Sequence, residues 1–283
     1  MQIRVLIGYN STKDGSVELS ARIAALLREN GLLPCVYGNN SVYAGKIGAE
    51  IVESPGICSF IVTVGGDGTI IKWGKIAAEF DLPLLGVNMG RLGFMATLEP
   101  DEIGRIPGIL SGELTMSRRM LLDCKVKRGD KVIFSESVVN DVIVSRSSLS
   151  KLPEYVVSCG TSEVSRLRAD GVILSTPTGS TAYSLSAGGP ILSPDLDCIE
   201  FTALCPHTLF NRPMIFSANQ PVSVNVCHYD NSKATFSVDG GKGIPFLDGD
   251  VLRLTRSKFA LSIIEAGEGF YGAIHNKLIT PIK

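Results

Sequence analysis

The spacing of apolar residues changes near residue 116, and this change constrains the fold more than any other feature of the chain. Before it, short apolar runs alternate with segments whose apolar residues recur at helical spacing, as in a parallel sheet with helices on both faces. After it, apolar residues alternate with a period of two, and turn residues interrupt the runs. We therefore predict a doubly wound α/β domain over residues 1–116 and a β-rich domain over residues 117–265.

The apolar runs also predict where the strands and helices of the α/β domain lie. Helices are predicted over residues 17–30, 70–79 and 99–110, and Pro107 and Gly108 must end or distort the last of them. The predicted strands of this domain occupy residues 3–8, 33–37, 60–64 and 84–87.

Two later segments depart from the strand pattern. Residues 179–189 are small and Gly-rich, which predicts a short helix or a tight loop. Residues 268–278 regain helical spacing, with Phe270 and Tyr271 among the apolar positions. We predict that a tail over residues 266–283 returns to the α/β domain.

Composition excludes some classes of function. The chain has 283 residues, with 27 Lys and Arg against 28 Asp and Glu. Because nucleic-acid binders usually carry a basic excess, we expect no nucleic-acid partner, and an anionic ligand must be held by local amides and a few cations. No apolar run reaches the roughly 18 residues that span a bilayer, so we expect no membrane association. Seven cysteines without a Cys-x-x-Cys pair predict reduced thiols and a cytoplasmic location.

The sharpest short motif directly follows the strand predicted over residues 60–64. Glycines at this position let the backbone approach a ligand and direct its amides toward an anion. The Asp67 carboxylate would repel phosphate unless it faced a hydroxyl whose proton must leave, which indicates a general base. Alternatively, Asp67 caps the following helix and takes no part in chemistry. The motif comprises Gly65, Gly66, Asp67, Gly68 and Thr69.

A second polar segment covers residues 168–190 and contains a run of hydroxyl side chains between residues 175 and 181. Short hydroxyl donors and exposed amides suit a polar ligand that itself carries several hydroxyls. A Ser- and Thr-rich surface loop would have a similar composition. The candidate residues of this segment are Arg168, Asp170, Thr178, Thr181, Ala182 and Tyr183.

Two smaller motifs complete the set of candidates. Residues 88–94 follow the strand predicted over residues 84–87, at the edge where open α/β sheets bind ligands. Within them, Phe94 is suited either to stacking on a base or to packing in the core. Asn140 and Asp141 interrupt an apolar strand predicted over residues 138–144, either as ligand contacts or as a bulge.

Taken together, these motifs resemble those of the ATP-NAD kinase family. The Gly-Gly-Asp-Gly-Thr motif alone also occurs in diacylglycerol and sphingosine kinases, whereas the long run over residues 168–190 is highly specific. The similar segments are, in chain order, residues 65–69, 88–94, 140–141, 170–190 and 206–213.

The resemblance implies an architecture and a reaction. It implies a Rossmann-like α/β domain that carries the aspartate, a β-rich domain that supplies most NAD contacts, and a homodimer or homotetramer. The implied reaction transfers the γ-phosphoryl group of ATP to the adenosine 2′-hydroxyl of NAD, giving NADP. Mg²⁺ or another divalent cation would be bound chiefly through the ATP phosphates, which Gly65, Gly66 and Thr69 would approach.

The resemblance also implies roles for single residues. Asp67 would be the base near the 2′-hydroxyl, Phe94 would lie against the adenine, and Asn140 and Asp141 would contact the adenosine or its ribose. The resemblance implies that Thr178, Thr181 and Ala182 line the adenine pocket and that Tyr183 lies on the nicotinamide side. Asp170 would lie near the nicotinamide end of this or a neighbouring subunit's NAD. The remaining implied NAD contacts are Gly68 and Arg168.

Two positions depart from the family pattern. Asp141 stands where most members have Glu, so its carboxylate reaches one methylene less far. Gly241 stands where many members have Gln, which makes Lys242 a candidate for the neighbouring phosphate contact.

Two other functions share part of this pattern. A lipid kinase would carry the same Gly-Gly-Asp-Gly-Thr motif but would need an apolar acceptor groove, whereas residues 175–183 offer hydroxyls. An NAD(P)-sensing module would bind without turnover and would gain nothing from an ionised base at Asp67.

Overall fold

In the computed structural model of the protein, the described residues are 2–89, 93–147, 151–209, 211–227, 233–267 and 269–279. They divide into two compact units. Unit 1 comprises the described residues of Met1–Arg118 and Phe259–Lys283, and unit 2 comprises those of Arg119–Lys258. Within these ranges, no helix is long and apolar enough to cross a bilayer.

The strands and helices are numbered in chain order. The strands are β1 (Arg4–Tyr9), β2 (Leu33–Val36), β3 (Glu50–Ile51), β4 (Phe60–Gly65), β5 (Leu84–Asn88), β6 (Met116–Arg128), β7 (Lys131–Val138), β8 (Asp141–Arg146), β9 (Glu154–Cys159), β10 (Ser162–Arg168), β11 (Gly171–Ser175), β12 (Cys198–Leu204), β13 (Met214–Ser217), β14 (Val222–Cys227), β15 (Ala234–Val238), β16 (Ile244–Phe246) and β17 (Asp250–Ile264). The α-helices are α1 (Ser16–Glu29), α2 (Ala44–Ile47), α3 (Asp67–Glu79), α4 (Ile106–Ser111), α5 (Tyr183–Ser186) and α6 (Gly269–Ile274). Short 3-10 segments cover Gly38–Tyr43, Pro55–Ile57, Ile103–Arg105 and Thr178–Thr181, and a π-helical turn covers His275–Ile279.

Unit 1 contains a parallel sheet in the order β3-β2-β1-β4-β5. The chain moves outward in one direction from β1 to β3 and in the other direction from β4 to β5, so the strand order reverses between β1 and β4. Open α/β sheets bind ligands at the carboxyl ends of the strands beside such a reversal. In this unit those ends are Tyr9 of β1 and Gly65 of β4.

The local sequence explains these elements. Strands β1, β4 and β5 are buried on both faces, which is why they appear as continuous apolar runs. Helix α1 buries Val17, Ile23 and Leu27 along one side, and the left-handed Gly31, with φ of +75°, follows its end. The four predicted strands lie within one residue of the observed ones, and α1 and α3 confirm two predicted helices, with α3 beginning at Asp67 rather than at residue 70.

The helix predicted over residues 99–110 is wrong in its first half. Leu98 forms a parallel bridge with Val87, which keeps the chain extended up to that residue. The N–H of Glu99 then donates to the carboxylate of Glu102, so helical structure starts only with a 3-10 turn and α4. Pro107 lies in the first turn of α4, where its missing N–H leaves no bond unmade.

Unit 2 is built of antiparallel strands around one core. One sheet has the order β13-β12-β11-β8-β15-β16. A second sheet pairs β10, β9, β14 and β17 in that order, and β6 and β7 form a hairpin. The short helix or tight loop predicted over residues 179–189 is confirmed by the 3-10 turn Thr178–Thr181 and by α5. The largest side chains of the shared core are Tyr155, Phe201, Phe236 and Phe246.

The boundary between the units differs from the expected one at residue 265. Residues from Phe259 onward group with unit 1. The physical reason is that the end of β17 pairs with β5 at Ile263 and Leu84, while Leu261 lies close against Gly74 of α3. In the tail predicted over residues 266–283, α6 and the following π-helical turn are helical; Glu268 and residues 280–283 lie outside the described residues.

One close contact in unit 1 is testable. A Cβ added at Gly8 of β1 would overlap with the indole ring of Trp73, which is only 2% exposed. We expect Gly8→Ala to lower the free energy of unfolding by about 1 to 3 kcal/mol, because a rigid buried ring must move to admit the methyl group. Urea denaturation monitored by the fluorescence of this single tryptophan measures the change.

Gly45→Ala is the matched control, because nothing lies within 4 Å of its added Cβ and its φ is not positive. We expect this helical variant to be as stable as the wild type or slightly more stable. Equal stability of Gly8→Ala and Gly45→Ala would contradict the packing of α3 on β1.

Candidate nucleotide-binding residues

In unit 1, the Gly-Gly-Asp-Gly-Thr motif forms the turn from β4 into α3. Gly65 has no room for a side chain, because a Cβ there would overlap with Thr69 in the first turn of the helix. Around Gly66 and Gly68, by contrast, nothing lies within 4 Å of an added Cβ. The turn is therefore tightly packed on the sheet side and open at the amino end of α3, where backbone N–H groups attract anions.

The carboxylate of Asp67 holds the loop that follows β5. Its Oδ2 accepts the N–H of Phe94 at 2.9 Å, and its Oδ1 accepts the N–H of Met95 at 3.2 Å. A Cβ at Gly93 would overlap with this carboxylate, so the loop approaches it at a glycine. Gly66 is the N-cap residue of α3, so Asp67 lies one position inside the helix, and its carboxylate bonds to the loop after β5. Asp67 and Phe94 are thus hydrogen-bonded to each other, and Gly90, Arg91 and Leu92 lie outside the described residues.

A cavity of about 470 Å³ lies next to this turn, within unit 1. It opens at the carboxyl ends of β1 and β4, where the strand order reverses. Tyr9 and Asn40 close one side by exchanging hydrogen bonds, Tyr9 Oη to the Asn40 carbonyl at 2.7 Å and Asn40 Nδ2 to the Tyr9 carbonyl at 3.0 Å. The charged side chains that line the cavity are Lys13 and Lys72, so its walls carry positive charge. Sequence reasoning missed both lysines, which lie on different elements and form no motif.

In unit 2, the strand predicted over residues 138–144 is broken. β7 ends at Val138 and β8 begins at Asp141. The cause is the carboxylate of Asp239, which accepts the N–H groups of Val139 at 3.1 Å, Asn140 at 2.7 Å and Asp141 at 3.2 Å. These amides therefore bond to a side chain instead of to a neighbouring strand. The sequence showed Asp239 only as part of an Asp-Gly-Gly turn.

The hydroxyl-rich segment packs directly on this break. The Oγ1 of Thr176 donates to the Val139 carbonyl at 2.6 Å, and a Cβ at Gly179 would overlap with the backbone of Asn140. Ser180 Oγ and Thr181 Oγ1 donate to carbonyls of their own turn at 2.7 and 3.2 Å. Most hydroxyls of the segment thus bond to backbone carbonyls, and the sequence alone did not show which of them would do so.

Two polar atoms at this place have no hydrogen-bond partner within the described part of the chain. They are Asn140 Oδ1 and Thr178 Oγ1, and both are buried. Buried polar atoms in native proteins nearly always have a partner, so these two atoms are candidates for hydrogen bonds to a bound molecule. Both residues were predicted as NAD contacts, and the structure brings them together through the contact of Gly179 with Asn140.

Asp141 is 4% exposed at the start of β8. Burial, and to a smaller extent the nearby charge of Asp239, raise the pKa of Asp141 from 3.8 to about 7. The side chain therefore changes its charge near neutral pH, where it can either donate or accept a hydrogen bond.

The predicted residues at the other end of β11 lie apart from Asn140. Asp141 pairs with Ser175 at one end of β11, whereas Asp170 directly precedes the other end, about 17 Å along the strand from Ser175. There the Asp170 carboxylate forms a 2.9 Å ion pair with Arg146, and the carbonyl of Arg168 accepts the N–H of His207 at 2.8 Å.

Tyr183 and Ala182 lie at the start of the short helix α5. Tyr183 is 47% exposed, which leaves its ring free to cover a ligand. The helix is anchored through Ser184, whose Oγ donates to the fully buried carboxyl of Glu200 at 2.6 Å. Sequence reasoning missed Glu200, because an isolated acidic residue in an apolar strand carries no motif.

Over the described ranges, no group of three or more His, Cys, Asp or Glu residues is placed to hold a metal ion.

Comparisons with known proteins identify the family of the chain. The family model of the ATP-NAD kinase N-terminal domain matches residues 5–113, and that of the ATP-NAD kinase C-terminal domain matches residues 139–266. The NAD kinase of Acetivibrio thermocellus is 36% identical over 280 residues, covering 98% of this chain and 97% of that protein. The NAD kinase of Geobacter metallireducens is 32% identical over 262 residues, covering 92% of each.

Two solved structures share the fold. Yeast NADH kinase complexed with NADH has a TM-score of 0.85 at 24% identity and covers all of this chain and 89% of that one. An NAD kinase from Archaeoglobus fulgidus in complex with ATP has a TM-score of 0.74 at 24% identity, covering 96% of this chain and 99% of that one.

The two domains and their motifs define a phosphotransferase that acts on nucleotides. The chain belongs to the ATP-NAD kinase family, as both domain models and the extended identity to the curated relatives establish. The expected fold class and family are confirmed, and the match of the carboxyl-terminal model leaves the lipid-kinase alternative without support.

The pKa of Asp141 generates a prediction for stability. Folding raises the pKa of this carboxyl from 3.8 to about 7, so the folded state binds the proton more tightly than the unfolded state does. The resulting stabilisation is fully present below pH 4, where the carboxyl is protonated, and it is lost as the pH rises through 7. The change corresponds to roughly 4 kcal/mol. We expect Asp141→Asn, which cannot ionise, to raise the Tm at pH 8 and to leave it nearly unchanged at pH 4, as measured by differential scanning calorimetry.

Asp130→Asn provides the control, since Asp130 is exposed in the turn between β6 and β7. Its Tm should follow that of the wild type at both pH values. If Asp141→Asn has the same Tm as the wild type at pH 8, ionisation of Asp141 does not destabilise the folded state, which would contradict the prediction.

Proposed function

We propose that the protein transfers the γ-phosphoryl group of ATP to the adenosine 2′-hydroxyl of NAD, giving NADP and ADP. Membership of the ATP-NAD kinase family supports the reaction class. The observation that carries the proposal is the position of Asp67 in the first turn of α3, between Gly66 and Gly68, which line a cavity whose charged lining residues are lysines.

For the phosphate donor, we assign the cavity of unit 1. The amino end of α3 offers the amides of Gly66 and Gly68, and Thr69 lines the same cavity. Lys13 and Lys72 supply charge that balances phosphates. This assignment explains how a chain with a net charge of −1 binds a polyanion, since the positive charge is local. A divalent cation bound to the phosphates of ATP would neutralise further charge during the transfer.

For the acceptor, we assign the orphaned atoms of unit 2. Asn140 Oδ1 can accept a hydrogen bond from a ribose hydroxyl or an adenine amino group, and Thr178 Oγ1 can donate or accept one. Thr181, Ala182 and Asp141 would complete the adenosine contacts. Tyr183 would cover the nicotinamide side, and Arg168 and Asp170 would lie toward the nicotinamide end.

The chemistry assigned to Asp67 is proton removal. As the 2′-oxygen attacks the γ-phosphorus, the bond from that phosphorus to the bridging oxygen breaks, ADP leaves, and the 2′-hydroxyl proton passes to the Asp67 carboxylate. Each carboxylate oxygen accepts one backbone N–H, from Phe94 or Met95, and keeps a further lone pair for the hydroxyl. The same bonds would bring the Phe94 ring to the adenine.

Two further features are proposed on resemblance and composition. We expect a homodimer or homotetramer, as the family resemblance implies, and NAD and ATP as the molecular partners. We expect the enzyme to supply NADP in the cytoplasm, because its cysteines are unpaired thiols.

The proposal is tested by Asp67→Asn. We expect NADP formation from NAD and Mg-ATP to fall at least about a hundredfold in kcat, the scale of a lost general base. The amide oxygen can still accept one N–H from the loop at residues 93–95, so the variant should fold. A coupled assay that detects NADP with an NADP-specific dehydrogenase measures the rate, and circular dichroism confirms folding.

Asp101→Asn serves as the control, because Asp101 is an exposed acidic residue of the same unit. It should keep the wild-type kcat. Near-normal turnover by Asp67→Asn would restrict this carboxylate to holding the loop. An NAD(P)-sensing module would instead show binding of NAD but no NADP with the wild type.

A further inference from the structure

Asp239 occupies a strained turn in unit 2. It directly follows β15, and its φ of +50° lies in the left-handed region that residues other than glycine rarely adopt. Gly240 continues the turn with φ of +69°, and the N–H of Gly241 donates to the Val238 carbonyl at 2.8 Å. Unfavourable backbone of this kind persists where the surroundings fix it, often at functional sites.

Hydrogen bonds run both ways between this turn and the break between β7 and β8, and together they form a clamp on the break. The Asp239 carboxylate accepts the successive N–H groups of Val139, Asn140 and Asp141, with its shortest bond, 2.7 Å, to Asn140. The N–H of Asp239 donates in return to the Asp141 carbonyl at 2.9 Å. Hydrogen bonds to an ionised acceptor are about twice as strong as neutral ones, so this clamp fixes the backbone at Asn140 firmly.

The backbone segment that Asp239 binds carries a side chain whose hydrogen bonding is incomplete. Among the residues that the structure describes, Asn140 Oδ1 and Thr178 Oγ1 are both buried without a hydrogen-bond partner. A clamp that served only the fold would be expected to leave the side chains around it satisfied. Here the carboxylate of the strained turn fixes the backbone of Asn140, while the side-chain oxygen of Asn140 has no hydrogen-bond donor.

We propose that Asp239 is a positioning residue for the nucleotide acceptor: it holds the backbone of Asn140 and Asp141 so that the unpartnered Asn140 oxygen meets a hydrogen-bond donor of the adenosine of NAD. This inference rests on the proposed function. It adds a residue, nearly one hundred positions away along the chain, that acts on NAD through Asn140 and not by contact with the reacting atoms.

The first test is Asp239→Asn. Asparagine tolerates the left-handed backbone, so the turn is kept, while the charge and one acceptor oxygen are lost. We expect the KM for NAD to rise about tenfold or more, with the KM for ATP within about twofold of the wild type. Asp248→Asn is the matched control, because Asp248 precedes a left-handed glycine in the neighbouring turn but is exposed.

The second test separates positioning from stability. If Asp239 acts through Asn140, then Asp239→Asn and Asn140→Ala should each raise the KM for NAD, and the double variant should be little worse than either one. Should Asp239→Asn not fold, Asp239→Glu enters the same cycle, because it keeps the charge but moves the carboxylate by one methylene. Multiplicative effects in the double variant would overturn the proposal.

Other outcomes are also decisive. An unchanged KM for NAD in Asp239→Asn, or an equal rise in the KM values for NAD and ATP, would overturn the positioning role while leaving the kinase reaction intact. Wild-type protein that forms no NADP at all would overturn the proposed function itself, and this inference with it.

Discussion

In each unit, one aspartate carboxylate binds backbone N–H groups of the loop that carries the proposed nucleotide contacts. The Asp67 carboxylate accepts the backbone N–H of Phe94, and the Asp239 carboxylate accepts the backbone N–H of Asn140. Such charge-assisted bonds orient a loop without the support of a strand or helix. They also place negative charge among amides that would otherwise attract anions. This arrangement suits a reaction in which a hydroxyl must lose its proton close to phosphate.

The elements that sequence analysis predicted are those whose causes are local. β1, β4 and β5 are short apolar runs buried on both faces, and α1 buries one regular side of a helix that ends before Gly31. Where a distant residue intervenes, prediction failed. The helix expected from residue 99 starts late because Leu98 is held by a bridge to β5, and the strand expected over residues 138–144 breaks because Asp239 takes its amides.

The candidate site shows the same division. Composition singled out the polar segment near residue 178, but it could not distinguish hydroxyls that bond to their own backbone from the unpartnered Thr178 Oγ1. Sequence analysis could not identify Lys13 and Lys72, because the fold, and not a motif, brings them to one cavity. Such residues become recognisable only when the strand order and the loop contacts are known.

The most direct test of the account compares NAD with an analogue that lacks only the adenosine 2′-hydroxyl. The analogue keeps its adenine and nicotinamide groups, so it should compete with NAD, with affinity weakened by roughly 1 to 3 kcal/mol, or about five- to a hundredfold. Phosphate transfer from ATP should convert NAD to NADP and should leave the analogue unmodified. Phosphorylation of the analogue at a rate like that of NAD would contradict the account, because another hydroxyl would then be the acceptor.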